Sequence, residues 1–415
     1  MAGQRRAFGG FLLDAAAVLT EPVQNLHQAI AGRVFKNVGP ASEPVRVVHD
    51  GIVGAVYGSV RGGFRLAAAG VRVLPLGEPD VVDPAEQSDL ALTAQAAING
   101  ILGDRMNRDE ALTIEMGLVH DRRPLPVEPE ALRAAFPQAA PTVVVFIHGL
   151  AESERCWWAP AGHKHRVGPS YGDRLAEDLG VTPLYVRYNS GRHISENGAR
   201  LSALLDQVVT AWPVPGVELV LVGHSMGGLV ARSACLQAVT GGHGWVGRVR
   251  HVVSLGTPHQ GAPLERVVNR ASQLLSRVGE SKPVADVLEL RSDGVRDLRF
   301  GYLLEDEWRH SDPAAVRRPA IDPAPNLEGA AHWFVSGSLR PGRHPLNHVL
   351  GDLLVTEASA VSPSRTKSGE RVEGADTAHF AGLDHLALCN DPAVYAQLRT
   401  WLRSRADRRG DQTSR

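Results

Sequence analysis

The stretch "LVLVGHSMGGLVAR", Leu219 to Arg232, runs four apolar residues into a small, polar, glycine-bracketed pentad, Gly223-His224-Ser225-Met226-Gly227, and then resumes in apolar steps. A short apolar run followed by an amphipathic pattern predicts a buried strand, a tight turn and a helix. A serine hydroxyl is a weak nucleophile that must be exposed to substrate yet held beside a base, and such a turn does both. The turn strains the backbone at Ser225 and crowds its neighbours, so glycine is the residue type that fits at Gly223 and Gly227. Gly228 lets the following helix approach the sheet. That helix aims its unpaired N-terminal N–H groups, Met226 among them, at the place where an oxyanion would form. An ordinary turn with a helix-capping serine is the plainer alternative, and the flanking strand and helix patterns argue against it.

Upstream, "PTVVVFIHGL" is a continuous β-branched apolar run ending in His148-Gly149-Leu150, the pattern of a strand buried on both faces. Glycine at its end lets backbone approach a reacting carbonyl, which predicts an oxyanion hole from the N–H groups of Leu150 and Met226. Around this pair the pattern alternates. Helix is expected at Ala85 to Leu102, a β-hairpin turning at Asp121 and Arg122, and a proline-bounded helix before the first buried strand. Helices follow at Tyr171 to Leu179, Ile194 to Trp212 and Met226 to Val239. Strands are expected at Thr182 to Tyr188, Glu218 to Val222, Val249 to Leu255 and His332 to Ser336. This rhythm predicts an α/β fold with a mostly parallel sheet flanked by helices, whose ligands bind at the carboxyl ends of the strands.

The chain of 415 residues is long enough for a large catalytic domain with an extension. With 44 basic and 45 acidic side chains there is no global field to attract nucleic acid. Three cysteines, Cys156, Cys235 and Cys389, are widely separated, with no metal-type spacing, and read as buried or indifferent thiols of a reducing compartment. The opening "MAGQRRAFGGFLLDAAAVLT" imitates an export signal, but Asp14 interrupts its apolar run, so a cytoplasmic protein is expected. Residues Phe11 to Leu76 read as two helices. The second spaces Gly54, Gly58 and Gly62 four apart while Arg61, Arg65 and Arg72 interrupt it, which favours a hairpin lying on the main domain and leaves peripheral membrane contact as the lesser alternative. Residues 1–108 are thus expected to be a helical extension, 109–405 the catalytic domain and 406–415 a disordered tail. Within the domain, the charged, proline-rich stretch at about 262–330 follows a strand end as an inserted cap would.

These residues resemble the α/β-hydrolase superfamily, in particular its lipase and esterase branch, including the GPI inositol-deacylase-like group. The likeness rests on "FIHGL", "YNSGRHISENGARLSALL", "VGHSMGGLVAR", "SLGTPHQGAPLE", "GDLLVTEASA" and "LDHLALCNDPAVYAQLRTWL", in that order between Ala111 and Leu402. It implies an α/β-hydrolase fold and a triad of nucleophile Ser225, acid Asp352 and base His385. Where the family often has Asp-Gly, this chain has Asp352-Leu353, so the turn after the acid differs. Among 17 histidines, His385 precedes the last amphipathic helix and follows the acid. His379 reads as a loop residue, His332 as a strand residue and His259 as structural. Among carboxylates, Asp384 adjoins the base and diverges from its ring, Asp376 reads as a turn residue in "VEGADTAH", and Glu357 follows the acid's segment.

The resulting expectation is a serine carboxylic-ester hydrolase working through an acyl-enzyme, with no cofactor and no metal, on a small-molecule or lipid ester. An acyltransferase or thioesterase would use the same triad. A non-catalytic interaction protein on this fold is the alternative of a different class.

Overall fold

The computed structural model describes residues 89–106, 113–158, 168–262, 291–311, 324–338, 352, 355–361 and 375–410, with isolated positions 31, 46, 50, 53 and 62. Apart from those isolated positions, the hairpin expected between Phe11 and Leu76 lies outside them, as do residues 263–290 and 312–323 of the expected cap. The chain divides into two compact units, Met1–Gln95 with Val268–Leu290, and Ala96–Val267 with Arg291–Arg415. The second unit contains the sheet.

After helix α1 (Asp89–Leu102) come strands β1 (Gly117–His120) and β2 (Arg123–Leu125), then α2 (Pro129–Ala135), β3 (Thr142–Ile147), α3 (Tyr171–Leu179), β4 (Thr182–Arg187) and α4 (Ile194–Ala211). They are followed by β5 (Glu218–His224), α5 (Met226–Gly241), β6 (Val249–Leu255), the short helices α6 (Asp293–Asp297) and α7 (Glu305–Arg309), β7 (Ala331–Ser338), α8 (Glu357–Val361), β8 (Ala375–Ala381) and α9 (Pro392–Gly410). The hairpin turns at Asp121 and Arg122, whose φ values of 46° and 70° suit the primed turns that match strand twist.

The strand order is β2-β1-β4-β3-β5-β6-β7-β8. Strands β3 to β8 pair in parallel, while β1 is antiparallel to both β2 and β4. Alternate residues of the central strands enter different cores, which is why these strands read as unbroken apolar runs. On one face Val143, Val145, Ile147, Leu219 and Leu221 pack with Leu201, Leu205, Leu229 and Val230 of α4 and α5. On the other, Val144, Phe146, Val220 and Val222 pack with Tyr171, Leu175, Val394 and Leu398 of α3 and α9. Helix α3 opens on a capping box between Ser170 and Asp173 and closes on Gly180 at φ 63°.

The described part of the expected cap is seated on the domain. Leu298 and Leu303 join the first core, and the Asp297 carboxylate accepts hydrogen bonds from the Ile194 N–H at the start of α4 (2.8 Å) and from His193 Nδ1 (3.1 Å). Two expectations are corrected. Residues Ala375–Ala381, read as a loop containing Asp376 and His379, form edge strand β8 paired with β7. Only Ala375 of β8 is buried, so pairing there rests on the backbone and leaves no apolar run to read. The tail expected from 406 is helical through Gly410, since α9 continues that far; residues 411–415 lie outside the described ones. Among the described residues no helix is long and apolar enough to cross a membrane.

Candidate active site

Ser225 stands between β5 and α5 with φ 51° and ψ −121°, a region that L-residues rarely adopt. The surrounding structure holds it there. Its N–H donates to the Leu255 carbonyl at the end of β6 (2.8 Å), and the Ser225 carbonyl accepts from the Gly228 N–H (3.1 Å). A Cβ at Gly223 would collide with the backbone of Gly227 and Gly228, and one at Gly227 with the carbonyl oxygens of Ile147 and His148. With glycine at both places the turn closes without these collisions.

The end of β3 packs on this turn. A Cβ on Gly149 would lie 3.1 Å from Ser225 Cβ, so bare backbone faces the serine. The loop beyond is pinned on two sides: the Gly149 N–H donates to Glu152 Oε2 (2.7 Å), and the N–H of Ala151, itself at φ 58°, donates to Ser190 Oγ (2.9 Å). Leu150 sits between these anchors. Met226 is the first residue of α5, where a backbone N–H has no acceptor inside the helix. The two backbone groups expected to bind an oxyanion therefore lie on adjoining strand ends.

His385 Nδ1 lies 2.8 Å from Asp352 Oδ2, and both side chains are buried. The Val355 N–H donates to Asp352 Oδ1 (2.8 Å), and the Asp352 N–H donates to the Val355 carbonyl (3.2 Å). These two bonds tie Asp352 to Val355. Backbone adds another tie, from the His385 N–H to the Asp352 carbonyl (3.2 Å). His385 lies against Gly256, where a Cβ would come within 3.1 Å of its ring. Gly256 follows Leu255, the residue bonded to the Ser225 N–H, so Ser225 and His385 both lie at the carboxyl ends of β5 and β6. His385 Nε2 is buried and has no hydrogen-bond partner among the described residues.

The structure places the rival groups elsewhere. His379 lies between Ser336 Oγ (2.9 Å) and Ser338 Oγ (3.1 Å), and His332 Nε2 donates to the Leu327 carbonyl (3.0 Å). His259 lies 3.1 Å from Arg232, a structural position. Asp384 accepts from the Ala387 N–H (2.9 Å), Asp376 is exposed on β8, and Glu357 begins α8.

Two histidines that close strands were quoted in the sequence without roles. His148 accepts from the Tyr188 N–H at Nε2 (3.3 Å) and lies 2.9 Å from the Gly149 carbonyl at Nδ1, which makes it a neutral ring protonated at Nδ1. Burial pushes its pKa down. His224 Nδ1 lies 3.0 Å from Glu152 Oε2, and its Nε2 lies 3.0 Å from the His385 carbonyl. Burial opposes its charge, but Cys389 and Glu152 outweigh it and raise its pKa well above the usual histidine value. Burial likewise opposes ionisation of Glu152, yet His224 and the Gly149 N–H hold its carboxyl down to about 2. The only sequence sign of Glu152 is an acidic residue three positions beyond the glycine of "HGLAES".

The model of the family described as "PGAP1-like alpha/beta domain" matches residues 138–312. No curated protein matches the chain. Among solved structures, the mature lipase BlEst2 of Bacillus licheniformis is 22% identical, with a TM-score of 0.40 over 62% of this chain and 91% of that one. The RedJ thioesterase of the prodiginine pathway in Streptomyces coelicolor is 17% identical, with a TM-score of 0.37 over 64% of this chain and 91% of that one. The esterase RhEst1 of a Rhodococcus species is 17% identical, with a TM-score of 0.34 over 64% of this chain and 93% of that one. The matched domain spans the strained serine turn between β5 and α5, and the mostly parallel, helix-flanked sheet around that turn has the α/β-hydrolase fold.

Proposed function

We propose that the chain is a serine hydrolase of carboxylic esters. Ser225 Oγ attacks the ester carbonyl while His385 Nε2 accepts its proton, and Asp352 keeps the proton on His385 Nδ1 and stabilises the imidazolium that forms. The N–H groups of Leu150 and Met226 receive the oxyanion. The alcohol leaves with the proton from His385, and water then releases the acid from the acyl-enzyme by the same steps in reverse order. The observation that carries this reading is the buried Asp352–His385 pair, whose outer ring nitrogen has no hydrogen-bond partner among the described residues, at the same end of the sheet as a serine held at φ 51°. The charged, proline-rich composition of the stretch at 262–330 favours soluble or short-to-medium acyl esters over emulsified triglycerides.

The test combines a fluorophosphonate probe with p-nitrophenyl esters from butyrate to palmitate. The expected result is a single covalent adduct that mass spectrometry places on Ser225, with turnover greatest on butyrate or octanoate. An unlabelled protein that hydrolyses none of these esters contradicts the reading, and preference for long-chain emulsions contradicts its substrate class.

A further inference from the structure

Glu152 and His224 lie behind the serine, bonded to each other, and the reaction just described uses neither. Glu152 Oε2 accepts from two donors, the Gly149 N–H at 2.7 Å and His224 Nδ1 at 3.0 Å. A carboxylate only accepts, so His224 Nδ1 carries a proton. The other ring nitrogen, Nε2, faces the His385 carbonyl oxygen at 3.0 Å, and a carbonyl also only accepts. Both ring nitrogens therefore hold protons, and His224, wholly buried, is an imidazolium beside a carboxylate. The chain of bonds runs from the loop that carries Leu150, through Glu152 and His224, to the backbone of His385, and it passes through the residue next to Ser225.

We propose that Glu152 and His224 are a positioning pair that sets the oxyanion loop and the general base at one distance from Ser225. The proposal rests on the reading of Ser225 and His385 as nucleophile and base. Its physical content lies in the shared proton geometry. A neutral His224 has one N–H and must abandon either Glu152 or the His385 carbonyl, which frees one side of the site to shift. The rings of His224 and His385 lie 4.7 Å apart, centroid to centroid, so a shift at one reaches the other directly. Cys389 is the third polar group on the cluster: its sulfur, His224 and Glu152 bring their ligand-type atoms within 4.8 Å of one another. Burial works against its ionisation, but hydrogen bonds with Cys156 and His224 and the charge of His224 bring its thiol down to about 7. Each change made to the pair is therefore tested with Cys389 intact.

Glu152→Gln keeps an oxygen for the Gly149 N–H and removes the carboxylate to which His224 Nδ1 donates, leaving Cys389 as the other group that favours the charged ring. A displacement of about 1 Å in a reacting group costs on the order of a hundredfold. The expected loss is accordingly about a hundredfold in kcat, with KM within about twofold and the fluorophosphonate reaction slowed in the same proportion. His224→Gln loses a similar factor, and the double variant loses no more than the worse single one, because the two act as a unit. Independent of turnover, nitrogen NMR of histidine-labelled protein at pH 7.5 shows a doubly protonated ring that persists in His193→Gln, the variant that removes the other ring lying between two acceptors, Asp293 and Asp297, and its Nδ1 signal moves in Glu152→Gln. Wild-type kcat in a folded Glu152→Gln variant, losses that multiply in the double variant, or the absence of any such ring besides that of His193 each overturns the proposal. If Ser225 is unlabelled while that ring signal is present, the catalytic reading fails and the charged pair stands, so the two failures are distinguishable. Should neither variant fold, the ring signal of the unmodified protein still decides.

Discussion

Strands β3 and β5 are neighbours, both carry an unbroken apolar run, and both reach the site through a buried histidine: His148 just beyond the first, His224 at the end of the second. One histidine is neutral and the other charged. At His148 the groups offered are an N–H and a carbonyl, so the ring answers with one acceptor and one donor. At His224 they are a carboxylate and a carbonyl, so the ring must donate twice. Burial is similar at the two positions; the protonation state follows from what the loops present. The strand ends differ in their chemistry as well. In the proposed reaction the end of β3 offers backbone, whereas the turn after β5 offers the Ser225 side chain.

The largest effect is expected from testing that last contrast. Ser225→Ala should remove turnover by on the order of a millionfold while leaving the thermal midpoint near that of the parent, because the backbone and not the hydroxyl forms the turn. Leu150→Ala retains its N–H and should cost roughly tenfold or less in kcat/KM. Comparable losses at the two positions would mean that the side chain of Leu150 carries more than packing.

A smaller loss is expected where the base is oriented. In Asp352→Asn the amide nitrogen can turn its donor toward His385 and favour the wrong tautomer, which in such triads costs about two to four orders of magnitude. Ester hydrolysis by the folded variant measures this. Near-parental turnover, with Asp376→Asn or Glu357→Gln crippled instead, would move the acid elsewhere.

The central elements were legible because burial on both faces writes itself into composition: "TVVVFI" and "LVLV" admit little but strand, and the serine pentad admits little but a tight turn. Asp352 was singled out through its segment, and the structure bonds it to His385 and to Val355, partners that no local pattern names. Strand β8 was not legible. Its sequence "ADTAHFA" alternates no apolar residues, since the strand is held by backbone pairing to β7 at the sheet edge. The partnership of Glu152 and His224 was not legible either. Seventy-two residues separate them, and their contact depends on two loops brought together by the β3–β5 pairing. No local pattern encodes such a meeting.

The smallest effect is a change in stability with pH, and it divides the two strand-end histidines by sign. The folded pKa of His148 is lowered by burial, so its ordinary unfolded value near 6.5 is the higher one. Between the two values the unfolded chain binds the extra proton, and the stability contributed by the neutral ring, present above pH 6.5, is lost as pH falls. For His224 the folded pKa is the higher, despite burial, because of Cys389 and Glu152. Its contribution is complete below pH 6.5 and is lost as pH rises through the folded value. Glu152 remains ionised throughout this range, its carboxyl being held to about 2. Thermal midpoints of His148→Phe and His224→Gln, each compared with the parent from about pH 5 to pH 9, should therefore move in opposite directions. The gap between parent and His148→Phe should narrow toward the acid end, and the gap between parent and His224→Gln should narrow toward the alkaline end. Two gaps that narrow at the same end would mean that the rings share one protonation state, and the contrast between the strand ends would then have to be sought in their loops.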